Sequence, residues 1–161
     1  MKPLKKVVII LLFAVPINAN ALWEVRNNTP TTAQITSDFQ FNKSVAGVLL
    51  VNFIPEMSCT PEVSFTMLEG GSASLGSPVG QALANGKMSL WVDGKLVWND
   101  RTAVTKYTNA IETGGMANSA LVNKLMLGDE VVVQQLPDMP KFAFSLKGSS
   151  TAIKKAKANC R

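Results

Sequence analysis

The stretch MSLWVDGKLVW, Met88 to Trp98, decides the fold class. Its apolar residues flank Asp93-Gly94, a pair suited to a two-residue type I′ turn because both positions accept positive φ. Folding about that turn sets Val92 opposite Lys95, Trp91 opposite Leu96, Leu90 opposite Val97 and Ser89 opposite Trp98. One face of the hairpin then carries Trp91, Leu96 and Trp98, and the other carries Leu90, Val92 and Val97. Both faces are apolar enough to need cover, which suits a hairpin in a sandwich or closed barrel better than one in an open sheet.

Working outward, further strands are expected at Leu22 to Arg26, Thr31 to Thr36, Gly47 to Phe53, Glu62 to Met67, Ala103 to Tyr107 and Glu130 to Gln134. The run KFAFSLK alternates, with Phe142, Phe144 and Leu146 on one face and Lys141, Ala143, Ser145 and Lys147 on the other. NSALVNKLMLG reads as a short helix with a cap at Asn118 or Ser119, an apolar side of Leu121, Val122, Leu125 and Met126, and Gly128 as its stop. A second helix is expected to start at Gly148, which with Ser149 or Ser150 can cap it. EGGSASLGSP (69–78) and ETGGMANS (112–119) read as flexible connections. The expected fold is mainly β: one antiparallel sandwich-like or barrel-like domain of seven or eight strands with two short helices.

The first residues are not part of that domain. Lys2, Lys5 and Lys6 precede an unbroken apolar run from Val7 to Val15, Pro16 breaks it, and Ala19-Asn20-Ala21 offers a cleavage site, which is the layout of a secretory signal peptide. The run is too short to cross a hydrocarbon layer of roughly 30 Å as a helix. The expected organisation is therefore a leader over 1–21 and an exported domain over 22–161, periplasmic or secreted, with no transmembrane segment in the mature chain.

Export changes the reading of charge and of cysteine. The full chain has a formal net charge of +5, of which the three leader lysines supply more than half. Lys147, Lys154, Lys155, Lys157 and Arg161 place five positive charges and no negative one at the C-terminus, so a basic patch sits on a mildly acidic body. The chain has two cysteines, and in an oxidising compartment Cys59 and Cys160 pair most simply with each other. The bond would pin a terminal helix whose Ala152, Ile153, Ala156 and Cys160 fall on one face, with Lys154, Lys155 and Lys157 towards water.

The succession of WVDG, a short helix ending in LMLGDEVVV, and a strand running through Phe144, Ser145, Leu146, Lys147 and Gly148 into an alanine-containing helix resembles the C-terminal half of the invasion-associated locus B family of exported bacterial proteins. The likeness spans about residues 88 to 158. It implies a small β-sandwich-like periplasmic or secreted protein without known catalysis, linked to the interaction of bacteria with a host.

The residue inventory narrows the chemistry. The chain has no histidine, which removes Ser-His-Asp and Cys-His catalysis and the common zinc sites. GGSASLG lacks the spacing of a nucleophile elbow, and TAIK (151–154) puts its lysine on the wet face of a helix. Asp93, Asp100, Asp129 and Glu130 sit at turns or next to helix stops, where carboxylates have ordinary structural work. The mature chain's six methionines show no clustered copper-type spacing. The expected protein is not an enzyme and uses no metal, no cofactor and no nucleic acid. Its expected partner is a protein, met through the lysines Lys154, Lys155 and Lys157 or through the hairpin residues Trp91, Leu96 and Trp98. Two roles are consistent with this: an exported interaction protein of the bacterial envelope, invasion- or host-associated, or a periplasmic inhibitor, immunity or exclusion protein that binds one bacterial enzyme or one secretion or conjugation partner.

Overall fold

The structure, a computed structural model, describes residues 22–41, 43–69, 81–107 and 110–161. The expected leader (1–21) and most of the glycine-serine stretch at 69–78 lie outside the described residues. Among the described residues nine strands form one sheet: β1 (Glu24–Arg26), β2 (Thr29–Phe41), β3 (Lys43–Ile54), β4 (Thr60–Glu69), β5 (Gln81–Val92), β6 (Lys95–Lys106), β7 (Ala110–Met116), β8 (Glu130–Gln134) and β9 (Lys141–Ser145). A single 3₁₀ turn, Pro55–Met57, separates β3 from β4. Helix α1 (Ser119–Leu127) joins β7 to β8, and α2 (Ser149–Asn159) follows β9.

Every neighbouring pair is antiparallel, in the order β1-β2-β3-β4-β7-β6-β5-β8-β9. The two ends of this sheet approach each other. Strand β9 packs beside β2, and the Trp23 indole Nε1 donates to the Ser145 carbonyl at 3.0 Å. The result is the mainly β, barrel-like single domain expected from the sequence.

Alternation along the strands selects the core. Ala33, Ile35, Leu49, Val51, Phe53, Val63, Phe65, Met88, Leu90, Val131, Val133, Phe142 and Phe144 are buried on the concave side, where Phe65 meets Phe142 at 5.0 Å and Phe144 at 6.0 Å between ring centroids. These tilted and edge-on contacts suit the quadrupoles of the rings. Helix α2 closes one end by packing against β1, β2 and β3, and its Ala152, Ile153 and Ala156 join the core beside Leu121, Val122 and Leu125 of α1. The buried Gln135 amide donates from Nε2 to the carbonyls of Ile111 (2.7 Å) and Phe65 (3.3 Å), tying the loop after β8 to β7 and β4.

One expected connection is a strand. The composition of ETGGMANS suggests a flexible connection, yet Glu112–Met116 belongs to β7, between β4 and β6. Glycine there marks close approach and not looseness. A Cβ at Gly114 would stand 2.9 Å from Ser64 Cβ, and one at Gly115 would stand 3.3 Å from the Trp98 ring. The sheet therefore has nine strands where seven or eight were expected, and its long strands run past the apolar cores that marked them.

Candidate functional site

The hairpin turn forms as its sequence demands. Asp93 and Gly94 have φ of 49° and 74°, and Val92 pairs with Lys95 and Trp91 with Leu96. Beyond those pairs the register slips. Leu90 pairs with Trp98, leaving Val97 as the extra residue of a β-bulge. Because side chains alternate with period two, that one residue carries Trp98 from the outer face to the Leu90 face. Trp98 is half-buried against the core with its ring over Gly115. The expected trio is thus divided: Trp91 and Leu96 share the outer face, and Trp98 does not join them.

Strand pairing replaces Trp98 with other neighbours. Leu96, Trp91, Val132 and Ala143 form one cross-strand row over β6, β5, β8 and β9. Leu96 is 51% exposed and the other three are half-buried. A polar row runs alongside, in which Ser89 pairs with Asn99 and Gln134, and Gln134 pairs with Lys141. Lys141 extends its ammonium over the Trp91 ring, with Nζ 4.4 Å from the centroid, a cation–π arrangement. On the other flank Asp93 turns back on the chain: its Oδ1 accepts from the backbone N–H groups of Asp129 and Glu130, each at 3.0 Å. An apolar strip with polar borders on both sides is the anatomy of a recognition surface. Sequence reading missed Val132, Lys141 and Ala143 because their place beside Trp91 follows from β8 pairing with β5, which no local pattern encodes.

The second candidate surface lies on α2. The structure joins Cys59 to Cys160, with 5.9 Å between their Cα atoms. Gly148, with φ of 86°, is the N-cap, and no side chain caps the helix. Ser149, an expected cap, is buried and donates from Oγ to the Leu125 carbonyl at 2.7 Å, fastening α2 to α1. In α1 the cap is Asn118, whose side-chain oxygen accepts from Leu121 N–H at 2.8 Å. Gly128 ends α1 with φ of −82°; a Cβ there would lie 2.4 Å from Val92 Cγ1, so its small size serves close packing rather than a left-handed turn.

Lys154, Lys155 and Lys157 are all exposed, but they do not face one way. Lys154 and Lys157 border a groove between α1 and α2, whereas Lys155 borders another beside Trp23 and Glu24. Among the described residues there is no group of three or more histidine, cysteine or carboxylate side chains placed to hold a metal ion, and no helix is long and apolar enough to cross a membrane.

No protein-family model matches the chain, and no curated protein matches it. Among solved structures the fold is similar to the crystal structure of invasion associated protein B from Bartonella henselae, with a TM-score of 0.47 and 15% sequence identity over 79% of this chain and 85% of that one.

Proposed function

We propose that the protein is a non-catalytic exported binding domain of the bacterial envelope, and that it meets a protein partner through the strip of Leu96, Trp91, Val132 and Ala143. The strip itself is the observation that supports this reading most. A tryptophan at the centre of a solvent-facing apolar row, bordered by polar side chains, has the composition of an interface centre, where aromatic anchors carry most of the binding energy. The Cys59–Cys160 bond supports an oxidising compartment, and the leader-like N-terminus supports export. The absence of histidine from the sequence supports a role without general acid–base catalysis by imidazole. The role we assign is association with a host or envelope surface, in keeping with the resemblance over residues 88 to 158.

One observation also favours the inhibitor or exclusion reading. The strip stands on continuous strands and not on loops, so it is pre-organised, as are the surfaces of proteins that block a single enzyme with little backbone movement. One experiment tests the proposal and separates the two roles. Wild type, Trp91→Ser and the triple change Lys154→Gln, Lys155→Gln, Lys157→Gln are used as bait against envelope extract and against host cells. The expected result is capture that Trp91→Ser abolishes and the triple change retains. A single stoichiometric bacterial partner assigns the inhibitor role, and host-cell retention assigns the first. Capture that survives Trp91→Ser, or turnover of any substrate by the purified protein, overturns the proposal.

A further inference from the structure

Among the described residues, three surface grooves that carry lysines can be compared by their charge balance. Beside Trp23, Lys155 is accompanied by Glu24. Beside the hairpin turn, Lys95 and Lys124 are accompanied by Asp93. The groove between α1 and α2, of about 310 Å³, has Lys154 and Lys157 on its border and no carboxylate in its lining. It is also the most enclosed of the three.

Its walls are apolar. Phe53, Val122 and Ile153 are buried core residues that show an edge to the groove, and half-buried Met126 and Cys59 of the disulfide complete the apolar part. Thioether and disulfide sulfur are polarizable, and the methionine side chain adapts to the shape of what it touches. Lys154 and Lys157 are three residues apart on α2, so they are neighbours on one helix face and repel each other while no anion lies between them. Across the groove, α1 presents Ser119 and Asn123, four residues apart, with a hydroxyl and an amide as further donors.

We propose that this groove binds a small single-chain anionic amphiphile, an aliphatic carboxylate free in solution, with its alkyl chain along Phe53, Val122, Met126 and Ile153 and its head between Lys154 and Lys157. Charge complementarity selects this occupant. A neutral apolar ligand leaves two like charges unanswered on the border, and a purely polar anion leaves the apolar wall uncovered. The volume lies at the small end of ligand pockets, which begin at roughly 300 Å³. The site is separate from the Trp91 strip and stands or falls independently of it.

The test uses the oxidised protein recovered from its export compartment, labelled with ¹³C at the methionine methyl groups and titrated with sodium decanoate below its micelle concentration. The expected result is a saturable shift of the Met126 methyl, with the buried Met88 signal unmoved. Decanol and decyltrimethylammonium bind more weakly. The double change Lys154→Gln, Lys157→Gln weakens decanoate binding about tenfold, added salt does the same in wild type, and Lys155→Gln leaves it unchanged. Met126→Trp, which fills the groove from a half-buried position, abolishes binding while the thermal midpoint holds. Equal affinity in the double variant, shifts spread evenly over the methionines, or a response only to anionic lipid vesicles or to an acidic peptide overturns the proposal.

Discussion

Among the described residues the backbone enters the left-handed region through non-glycine residues at two places, and they are held there in different ways. At the β5–β6 turn Asp93 (φ 49°) is followed by Gly94 (φ 74°). After the 3₁₀ turn Ser58 (φ 54°) is followed by Cys59 (φ 57°). The first conformation is the one a tight hairpin requires, and Asp93 is among the residues that tolerate it best. The second has no glycine to ease it. Ser58 N–H donates to Pro55 O at 3.1 Å and Cys59 N–H to Ile54 O at 2.9 Å, and the Cys59 side chain is bonded to a residue 101 positions away. A turn written in two adjacent residues explains itself. The turn at Ser58 and Cys59 combines two local backbone bonds with a covalent link to a distant partner, and its local sequence alone names neither.

The largest expected effect comes from cutting that distant bond. Replacing Cys59 and Cys160 together by alanine frees a loop of about 100 residues, for which chain entropy sets an upper figure of about 4.7 kcal/mol and native bonds typically give about 2–4. The expected loss lies in the latter range, read from the urea midpoint, with faster amide exchange at Ala152, Ile153 and Ala156. An unchanged midpoint breaks the comparison, because Ser149 on Leu125 and the burial of the alanine face would then suffice to hold α2. Putting glycine at Cys59 beside Cys160→Ala sharpens it. Glycine carries no penalty at positive φ, so this pair is expected to recover roughly 1 kcal/mol relative to the double alanine variant.

Two glycines extend the test to a smaller effect. Gly94 has positive φ and open space around the position of a Cβ, whereas Gly128 has an ordinary φ and no space. Gly94→Ala is therefore charged only with backbone strain, roughly 1 kcal/mol. Gly128→Ala drives a methyl into Val92 and towards Asp93 Oδ2, and overpacking of that kind costs about 1–3 kcal/mol. Thermal denaturation of both variants gives the ranking. If Gly94→Ala proves the worse of the two, conformation outweighs contact at this junction.

These glycines also mark the limit of what was legible in the sequence. The Asp93-Gly94 turn, the alternation of Phe142, Phe144 and Leu146, the buried face of α2 and the pairing of Cys59 with Cys160 all follow from local pattern or from simple counting. Gly128 was legible as a helix stop but not as a point where Val92 and Leu146 close in, since that depends on β5 lying beside β8. Simple alternation puts Trp98 on the Trp91 face, whereas the bulge at Val97, which has no signal in composition, puts it on the Leu90 face. Gly114 and Gly115 have the composition of a flexible connection but are strand residues under crowded neighbours. At the candidate surfaces the same division holds: Trp91, Leu96 and the three lysines could be named, but Lys141, Val132 and the separation of Lys155 from its neighbours required the sheet order and the placing of α1.

The smallest expected effect bears most directly on function. Lys141 over Trp91 joins two strands that are not adjacent, with β8 between them. At an exposed site such a contact is worth about 0.5–1 kcal/mol, which a single substitution cannot separate from lost packing. A double-mutant cycle can, provided that neither change introduces a new interaction. Lys141→Gln and Trp91→Leu, alone and together, are expected to show a coupling in that range by urea denaturation. A coupling of that size means that the ring is held in place before any partner arrives, so less side-chain freedom is lost when the strip is covered. Lys141→Gln is then expected to weaken capture modestly while Trp91→Leu weakens it strongly. Zero coupling breaks the comparison with the hairpin turn, where Asp93 fixes its neighbours, because the strip beside that turn would then be shaped by its partner and not by the fold.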